Sequence, residues 1–253
     1  MMYFKGKKVL ITGGSRGIGR AAAIAFAEAG AAVAISFRQD SEAAADTCAQ
    51  LQGDGHFAVK ADIANPEAVR RMIEAVSTEF GGLDIVVNNA GVYLPHPITQ
   101  VSYERWQEAW QDTLSVNLIG AANVCHCVVP HLIRRGGGHI INISSRGAFR
   151  GGPDHPAYGA AKAGLNAFSQ SLAWALAPHH IFVGVVAPGF VTTDMTQALL
   201  DGPSGNAIRA QSPTGQVATP EEVAQAILFL ASGAVPQATG CILDVNGASY
   251  LRT

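Results

Sequence analysis

The sequence predicts an α/β protein with a doubly wound sheet of about seven parallel strands and helices on both faces. Short apolar runs alternate with longer, alanine-rich stretches along the whole chain. The short runs are apolar on both faces, which is typical of parallel strands that helices cover on each side. Such an alternation implies right-handed crossovers between successive strands.

Seven runs are predicted as strands, in chain order: Lys7–Thr12, Ala31–Ser36, His56–Ala61, Leu83–Val87, His139–Ile143, Ile181–Ala187 and Cys241–Val245. The helices between them are predicted at about 17–29, 41–52, 66–79, 102–133, 157–177 and 220–231. Gly30 stands where a left-handed residue would end a helix, and Pro66 and Pro220 stand where helices would begin.

The pattern predicts one domain over residues 1–253, because the chain shows no linker, internal repeat or low-complexity segment. One long stretch, about 188–219, lacks a clear helix or strand pattern and is rich in Gly, Pro, Thr and Gln. A loop of that length inside a compact domain is usually functional. We therefore expect residues 188–219 to form a mobile substrate loop.

Composition excludes several classes of protein. Hydrophobic residues make up 48% and charged residues 14%, with a formal charge of −2, so nothing draws the whole chain to nucleic acid or anionic membranes. The first ten residues, MMYFKGKKVL, contain no signal-peptide core, and the apolar stretches Leu118–Ile133 and Ile181–Leu200 are interrupted by His, Pro, Thr or Asp. We expect a cytoplasmic protein with neutral thiols at its four cysteines and no bound metal.

A glycine-rich turn, TGGSRGIG from Thr12 to Gly19, follows the first predicted strand. Its glycines at 13, 17 and 19 can adopt backbone angles that other residues avoid, and they allow close approach to a pyrophosphate. Free amides at the start of the next helix would face the phosphates. The spacing differs from the commoner Gly-x-Gly-x-x-Gly dinucleotide fingerprint, and a tight connection alone would also explain it. Its place after the first strand of an α/β sheet favours nucleotide binding.

Six motifs occur together and in order: TGGSRGIG, Asn88–Gly91, Asn117, Ser145, Tyr158-Gly-Ala-Ala-Lys162 and Pro188-Gly189. Over essentially its whole length, the chain resembles the short-chain dehydrogenase/reductase family in its single-domain branch. The resemblance implies a Rossmann-type fold and a nicotinamide cofactor. The residues it assigns to the cofactor are Gly13, Ser15, Arg16, Gly17, Ile18, Gly19, Arg38, Asp62, Ile63, Asn89, Ala90, Gly91, Tyr158, Lys162, Pro188, Gly189, Val191 and Thr193.

The end of the second predicted strand favours NADPH over NADH. Phe37 stands where NAD-selective members of the family have an aspartate, and Arg38 follows it; Arg16 lies close to the same ribose in members with this pattern. Two arginines without a carboxylate favour the 2′-phosphate of NADP. The alternative is that both are solvated surface arginines. Of the neighbouring Asn88 and Asn89, we expect one to tie adjacent strands together.

The resemblance assigns catalysis to Asn117, Ser145, Tyr158 and Lys162. Tyr158 and Lys162 are four residues apart on one helical face, so the ammonium and the oxidised nicotinamide are expected to lower the phenol pKa. Tyr158 would pass a proton to the carbonyl oxygen, which Ser145 would polarise, while Asn117 would support a water that leads to Lys162. Taken singly, the Tyr–Lys pair could be a surface pair, and Ser145 and Asn117 could be structural.

The sequence narrows the substrate only to a class. PGFVTTDMT resembles the corresponding segment of 3-oxoacyl-(acyl carrier protein) reductases, whereas sugar, polyol and steroid dehydrogenases of the family are alternatives. The residues expected to face substrate are mostly apolar: Tyr93, His96, Phe149, His155, Phe190, Met195, Leu199 and Leu200.

The expected partners are the carbonyl substrate, possibly as an acyl thioester, and further copies of the chain. Arg146 and Arg150 are candidates for contact with an acyl carrier protein, and the long helices at 102–133 and 157–177 would build a homotetramer. A different class, a non-catalytic NADPH-binding sensor, would fit better if the Tyr–Lys pair or Ser145 were missing.

Overall fold

The computed structural model of the chain describes residues 3–252. The prediction about the first ten residues therefore falls partly outside the described residues, at Met1 and Met2. All seven predicted strands are present within one or two residues of their expected limits, and they form one parallel sheet in the order β3-β2-β1-β4-β5-β6-β7. The strands are β1 Lys8–Thr12, β2 Ala32–Phe37, β3 Phe57–Lys60, β4 Ile85–Asn88, β5 Gly138–Ile143, β6 Ile181–Pro188 and β7 Ile242–Val245.

The α-helices of the described residues are α1 Gly17–Glu28, α2 Ser41–Gln50, α3 Pro66–Phe80, α4 Tyr103–Leu114, α5 Ala121–Arg134, α6 Pro156–Leu176, α7 Asp194–Asp201, α8 Gly205–Arg209 and α9 Pro220–Ala231. Sequence signals explain several of their ends. Gly30 follows α1 with φ +91°, and Pro66 and Pro220 each occupy the first position of a helix. Thr219 and Glu222 add a capping box to α9, satisfying two amides at that end.

Alternating strand residues build two cores, one on each face of the sheet. Val9 and Ile11 of β1 face a core that includes α1 and α9, whereas Leu10 faces the core of α3, α5 and α6. The 32-residue helical run Tyr103–Arg134 is long and apolar enough to cross a membrane by composition. Its residues Val124, Val128 and Leu132 are fully buried against the sheet, so we interpret it as a core helix.

Two expectations about regular structure were wrong in part. The helix predicted at 102–133 is interrupted by one π-helical segment, Ser115–Gly120, which separates α4 from α5. Segments of this kind often mark functional sites, and this one carries Asn117. The stretch 188–219, expected to lack regular structure, contains α7 and α8; the hydroxyl of Thr193 and that of Thr196 form a capping box that starts α7.

The strand order places a topological switch between β1 and β4. After β3 the chain returns across the sheet, and β4 pairs with the other side of β1. In open α/β sheets, ligands bind beyond the carboxyl ends of the strands at such a point. The turn after β1 and the segment after β4 therefore lie at the expected ligand edge.

Candidate active site

A cleft of about 480 Å³ lies at the carboxyl edge of the sheet. It brings together almost every predicted cofactor residue, and it also takes in three of the four predicted catalytic residues. The predicted residues that line it are Gly13, Ser15, Arg16, Gly17, Ile18, Arg38, Asp62, Ile63, Asn89, Ala90, Gly91, Ser145, Tyr158, Lys162, Pro188, Gly189, Val191 and Thr193. Gly19 and Asn117 are the two that do not line it; both are buried behind its wall.

The glycine turn requires glycine for steric reasons. Gly13 and Gly17 have φ of +66° and +53°, and a Cβ on Gly13 would come within 2.9 Å of the Ala90 Cα. A Cβ on Gly19 would come 2.2 Å from the carbonyl oxygen of Gly13. These three glycines let the strand, the turn and the start of α1 pack closer than side chains would permit.

The N-terminus of α1 opens at the cleft without a side-chain cap. Arg16 occupies the N-cap position in extended conformation and makes no capping hydrogen bond. The first amides of a helix have no partner inside the helix and carry partial positive charge. Together with the close-packed glycines, this end of α1 fits the pyrophosphate of a dinucleotide.

The charges at the adenosine end differ from the expectation in one respect. Arg16 and Arg38 are exposed at the cleft, and neither forms an ion pair within residues 3–252. The expectation of no carboxylate there was wrong, because Asp40 also lines the cleft. One Asp40 oxygen accepts a hydrogen bond from the Ala43 amide at 2.9 Å and caps α2. The carboxylate therefore has a structural task, and the arginines leave positive charge for a phosphate.

Both asparagines at the end of β4 tie strands together, where we expected one to do so. Asn88 donates to the Asn142 side-chain oxygen at 2.8 Å, linking β4 to β5. The side-chain nitrogen of Asn89 donates to the carbonyl oxygens of Thr12 and Gly13, each at 3.0 Å. Asn89 thus fixes the glycine turn and can offer only its oxygen to a ligand.

Ser145 follows β5 and begins a short 3₁₀ turn. Its hydroxyl oxygen accepts a hydrogen bond from the Gly147 amide at 2.9 Å, which fixes the side chain at the cleft. Gly147 lies between Ser145 and Tyr158: a Cβ there would be 3.3 Å from the Ser145 oxygen and 3.6 Å from the Tyr158 ring. The two hydroxyl-bearing side chains therefore face the same small volume.

Burial shifts the pKa values of the Tyr–Lys pair. The Lys162 ammonium is 4% exposed and donates to the Ile143 carbonyl oxygen at 2.7 Å, and burial lowers its pKa to about 8. Burial raises the pKa of Tyr158 to about 12, which the Ser145 hydroxyl partly opposes. Burial outweighs the lowering that we expected from Lys162, whose ammonium is turned to Ile143 and lies 5.7 Å from the Tyr158 ring centre. Tyr158 is consequently a neutral acid at pH 7.

Both polar atoms of the Asn117 side chain bind one neighbour, Val92. Its oxygen accepts from the Val92 amide at 2.8 Å, and its nitrogen donates to the Val92 carbonyl oxygen at 2.9 Å. This leaves one hydrogen and one lone pair of the side-chain amide, together with the main chain of Asn117, for a water that leads to Lys162. The π-helical segment is the local feature that sets this main chain apart from a regular helix.

Several residues expected to face substrate have other positions. His96 is 0% exposed and Leu200 is 3% exposed, so neither faces the cleft. Tyr93 and His155 stack on each other next to Tyr158. Met195 lines the cleft, and Leu199 is exposed on α7.

Two of the aromatic residues pack against arginines. The Phe149 ring lies under Arg252 and the Phe190 ring under Arg146. The sequence interpretation also missed further residues that line the cleft: Ser36, Phe37, Gln39, Asp40, Ala61, Val92, Val116, Ile143, Ser144, Asp194 and Thr196. Gln39 and Asp40 directly follow the Arg38 position that had been singled out, so proximity along the chain was the available signal.

Comparison with known proteins agrees with this geometry. A model of the family described as enoyl-(acyl carrier protein) reductase matches residues 13–248. The chain belongs to the short-chain dehydrogenase/reductase family. It is 37% identical over 250 residues to a 3-oxoacyl-[acyl-carrier-protein] reductase of Vibrio cholerae, covering 99% of this chain and all of the relative. The Escherichia coli K12 protein of the same name is 38% identical over 250 residues, with the same coverage.

Solved structures of this family have the same fold. A dehydrogenase/reductase from Sinorhizobium meliloti 1021 superposes with a TM-score of 0.91 at 32% identity, covering 99% of this chain and 97% of that one. A short-chain dehydrogenase from Burkholderia cenocepacia J2315, solved in complex with NADP, has a TM-score of 0.90 at 34% identity, with coverages of 97% and 98%. The predictions of family, of the Rossmann-type sheet and of an oxidoreductase are therefore confirmed.

Proposed function

We propose that this protein reduces a ketone to a secondary alcohol with NADPH, using Tyr158 as the acid. One observation carries the proposal: Ser145, Tyr158 and Lys162 line the same cleft as the glycine turn and the segment Pro188–Thr193. A nucleotide site and a proton donor beside a polarising hydroxyl are thus contiguous. All four predicted catalytic residues are present, which favours an enzyme over a non-catalytic sensor.

NADPH is the cofactor that the cleft fits. The uncapped start of α1 suits the pyrophosphate, and Arg16 and Arg38 suit the 2′-phosphate. The B. cenocepacia relative, with the same fold and NADP in its structure, supports this choice. When bound, the nicotinamide ring supplies the hydride for the carbonyl carbon.

The protein's own residues orient the carbonyl and deliver the proton. The Ser145 hydroxyl, held by the Gly147 amide, would donate a hydrogen bond to the substrate oxygen. Because the Tyr158 pKa is raised to about 12, the phenol is protonated and can donate to the same oxygen as negative charge develops there. The Lys162 ammonium, fixed on Ile143, favours the phenolate that remains. Asn117 would supply its main chain to a proton path that leads to Lys162.

We propose a 3-oxoacyl thioester as the substrate class. Support comes from the V. cholerae and E. coli relatives, which carry that activity in their names, and from the apolar Met195 side chain that lines the cleft. These relatives favour a thioester over the sugar, polyol or steroid alternatives. The matching family description names an enoyl reductase, so an enoyl thioester is the second candidate.

The two arginines expected to contact an acyl carrier protein, Arg146 and Arg150, differ in exposure. Arg146 is half-buried and donates to the Ser249 hydroxyl at 2.7 Å, so it braces the C-terminal segment. Arg150 is exposed and donates to the Gln211 side chain at 3.1 Å. Of the two, Arg150 is the better candidate for an acidic carrier.

We further propose that residues 1–253 act as one cytoplasmic domain, with 188–219 as the substrate segment, and that the chain forms a homotetramer. Trp174 on α6 supports the assembly, because it is 88% exposed and exposed aromatic side chains are enriched at interfaces. Sedimentation of the purified chain tests the tetramer, and a Trp174→Glu variant would dissociate it if α6 forms the contact.

The experiment that tests the function is NADPH and NADH oxidation with a panel of acceptors: acetoacetyl thioester, an enoyl thioester, an aromatic diketone, a steroid and a keto-sugar. We expect the fastest NADPH oxidation with the 3-oxo thioester. Turnover of the enoyl thioester alone would replace the proposed reaction with reduction of a C=C bond. No turnover on any acceptor would contradict the enzyme assignment for these substrate classes.

A further inference from the structure

His96 lies in the loop between β4 and α4, is fully buried, and uses both ring nitrogens. Nδ1 lies 2.7 Å from the Leu94 carbonyl oxygen, and Nε2 lies 3.1 Å from the Ala157 amide nitrogen. A carbonyl oxygen can only accept a hydrogen bond, and a backbone amide can only donate one. Nδ1 therefore carries the proton and Nε2 accepts, so both bonds require the neutral imidazole in one tautomer.

The amide that donates to His96 is that of Ala157, in the first turn of α6, the helix that carries Tyr158. Helices begin with amides that have no partner of their own, and a side-chain oxygen at the N-cap usually satisfies one of them. At α6 the N-cap residue His155 makes no such bond, and Pro156 has no amide hydrogen. His96 thus caps α6 from a different part of the chain, and the amide that it binds, that of Ala157, directly precedes Tyr158.

The loop that carries His96 holds the start of α6 at further points. The His96 amide donates to the Asp154 carbonyl oxygen at 2.7 Å. Tyr93 stacks on His155 with ring centres 3.6 Å apart and meets Tyr158 edge-on at 4.8 Å. Nearer to β4, the same loop is held at Val92, whose amide and carbonyl are both bound by the Asn117 side chain.

We propose that His96 is a positioning residue, which caps the catalytic helix and fixes Tyr158 relative to Ser145 and the substrate carbonyl. The proposal rests on the proposed ketone reduction. His96 does not line the cleft, so it acts through Ala157 and the start of α6. A shift of about 1 Å in a reacting group can cost about 100-fold in rate, which makes the cap relevant to catalysis.

Three His96 variants and one control test this proposal. His96→Gln keeps an acceptor at about the reach of Nε2, whereas His96→Phe and His96→Leu keep apolar bulk without an acceptor. We expect the Phe and Leu variants to lose about 10- to 100-fold in kcat, with the NADPH dissociation constant changed less than about twofold. Gln should recover most of kcat.

The control is Asn65→Ala, which removes the cap of α3 and its two hydrogen bonds to Glu67 and Ala68. It should cost stability and leave kcat unchanged. Two variants without an acceptor, His96→Phe and His96→Leu, are used so that the test can still be made with one if the other does not fold. Wild-type kcat in a folded acceptor-free variant would overturn the proposal, as would an equal loss of kcat in Asn65→Ala.

Amide hydrogen exchange at Ala157, measured by NMR on the full chain, gives a readout that needs no turnover. We expect exchange at least about 10-fold faster in the acceptor-free variants, since the amide loses its partner. If the wild type reduces no ketone, the proposed function fails, and the exchange result decides the cap separately. Unchanged exchange at Ala157 would overturn the role of His96.

Discussion

The cleft has a nucleotide half, formed by the glycine turn and the start of α1, and a catalytic half around Ser145, Tyr158 and Lys162. The nucleotide half is formed mainly by closely packed backbone, and the catalytic half by hydrogen-bonded side chains. In the nucleotide half of the cleft, Gly13, Gly17 and Gly19 bring backbone close to backbone, and helix α1 begins without a side-chain cap. In the catalytic half, hydrogen bonds fix the side chains: the Ser145 hydroxyl oxygen accepts from the Gly147 amide, and the Lys162 ammonium donates to the Ile143 carbonyl oxygen. NADPH affinity should therefore be most sensitive to substitutions that add a side chain at a glycine, and kcat to substitutions that remove a side-chain hydroxyl.

The largest effect on binding is expected from Gly19→Ala. An alanine inside a helix ordinarily stabilises it by about 1 kcal/mol relative to glycine, but here the new Cβ would lie 2.2 Å from the Gly13 oxygen and 2.5 Å from the Asn89 amide nitrogen. The turn has to move, and we expect NADPH affinity to fall by about 100-fold or more, on the order of 3 kcal/mol. Fluorescence titration with NADPH measures it.

Gly164→Ala on α6 is the matched control. Its Cβ would meet the Leu118 side chain at 3.1 Å, and a flexible side chain can move aside. Equal affinity losses in the two variants would refute the steric explanation of the turn.

The next effect concerns two adjacent serines. Ser145→Ala removes the hydroxyl that faces the carbonyl, and we expect kcat to fall by about 100- to 1,000-fold, as when a transition-state hydrogen-bond donor is lost. Ser144→Ala removes only a 3.3 Å bond from its hydroxyl to the Lys162 carbonyl oxygen and should cost less than about fivefold. Steady-state kinetics with a saturating ketone compares them; the reverse order would exchange their roles.

A smaller effect is expected at the adenosine end. Arg38→Ala and Arg16→Ala should each reduce kcat/KM with NADPH by about 10-fold while leaving the NADH value nearly constant, because each removes a charged contact to the 2′-phosphate alone. Arg105→Ala, an exposed arginine paired with Glu108 on α4, should change neither value. Equal losses with both cofactors would contradict the assignment of the 2′-phosphate to these arginines.

The mildest effect is a pH dependence of stability. The Lys162 pKa is about 8 in the folded protein against about 10.5 when unfolded, so the unfolded chain holds more protons between these values. Stability therefore rises with pH across this window, by about 1.4 kcal/mol for each pKa unit at most. Lys162→Met lacks this contribution.

Urea unfolding at pH 7, 8, 9 and 10 measures the difference between the wild type and Lys162→Met. Between pH 8 and pH 10, the free energy of unfolding of the wild type should rise by about 2 kcal/mol relative to that of Lys162→Met. The raised pKa of Tyr158 acts in the opposite direction only above pH 10 and is common to both chains. A difference that does not change with pH would show that Lys162 is not desolvated as described.

The sequence predicted the nucleotide half better than the catalytic half, and the reason is physical. The seven strands, the glycine turn and Pro66 are local signals, so chain order was enough to place them. His96 was expected to face substrate, but the structure buries it. The sequence could not show this, because its partner Ala157 lies 61 residues away and meets it only when the fold brings the β4–α4 loop to α6. The sequence interpretation also missed the π-helical segment at Asn117 and the helices α7 and α8.

The measurement that tests the central claim most directly is the comparison of wild type and Tyr158→Phe in two assays, NADPH affinity and ketone turnover. Removing the phenol hydroxyl should leave the dissociation constant within about threefold and reduce kcat by about 100- to 10,000-fold, the usual contribution of a general acid. A Tyr158→Phe variant that still turns over ketone at the wild-type rate would contradict the account, because the cleft would then bind the cofactor without using Tyr158 as its acid.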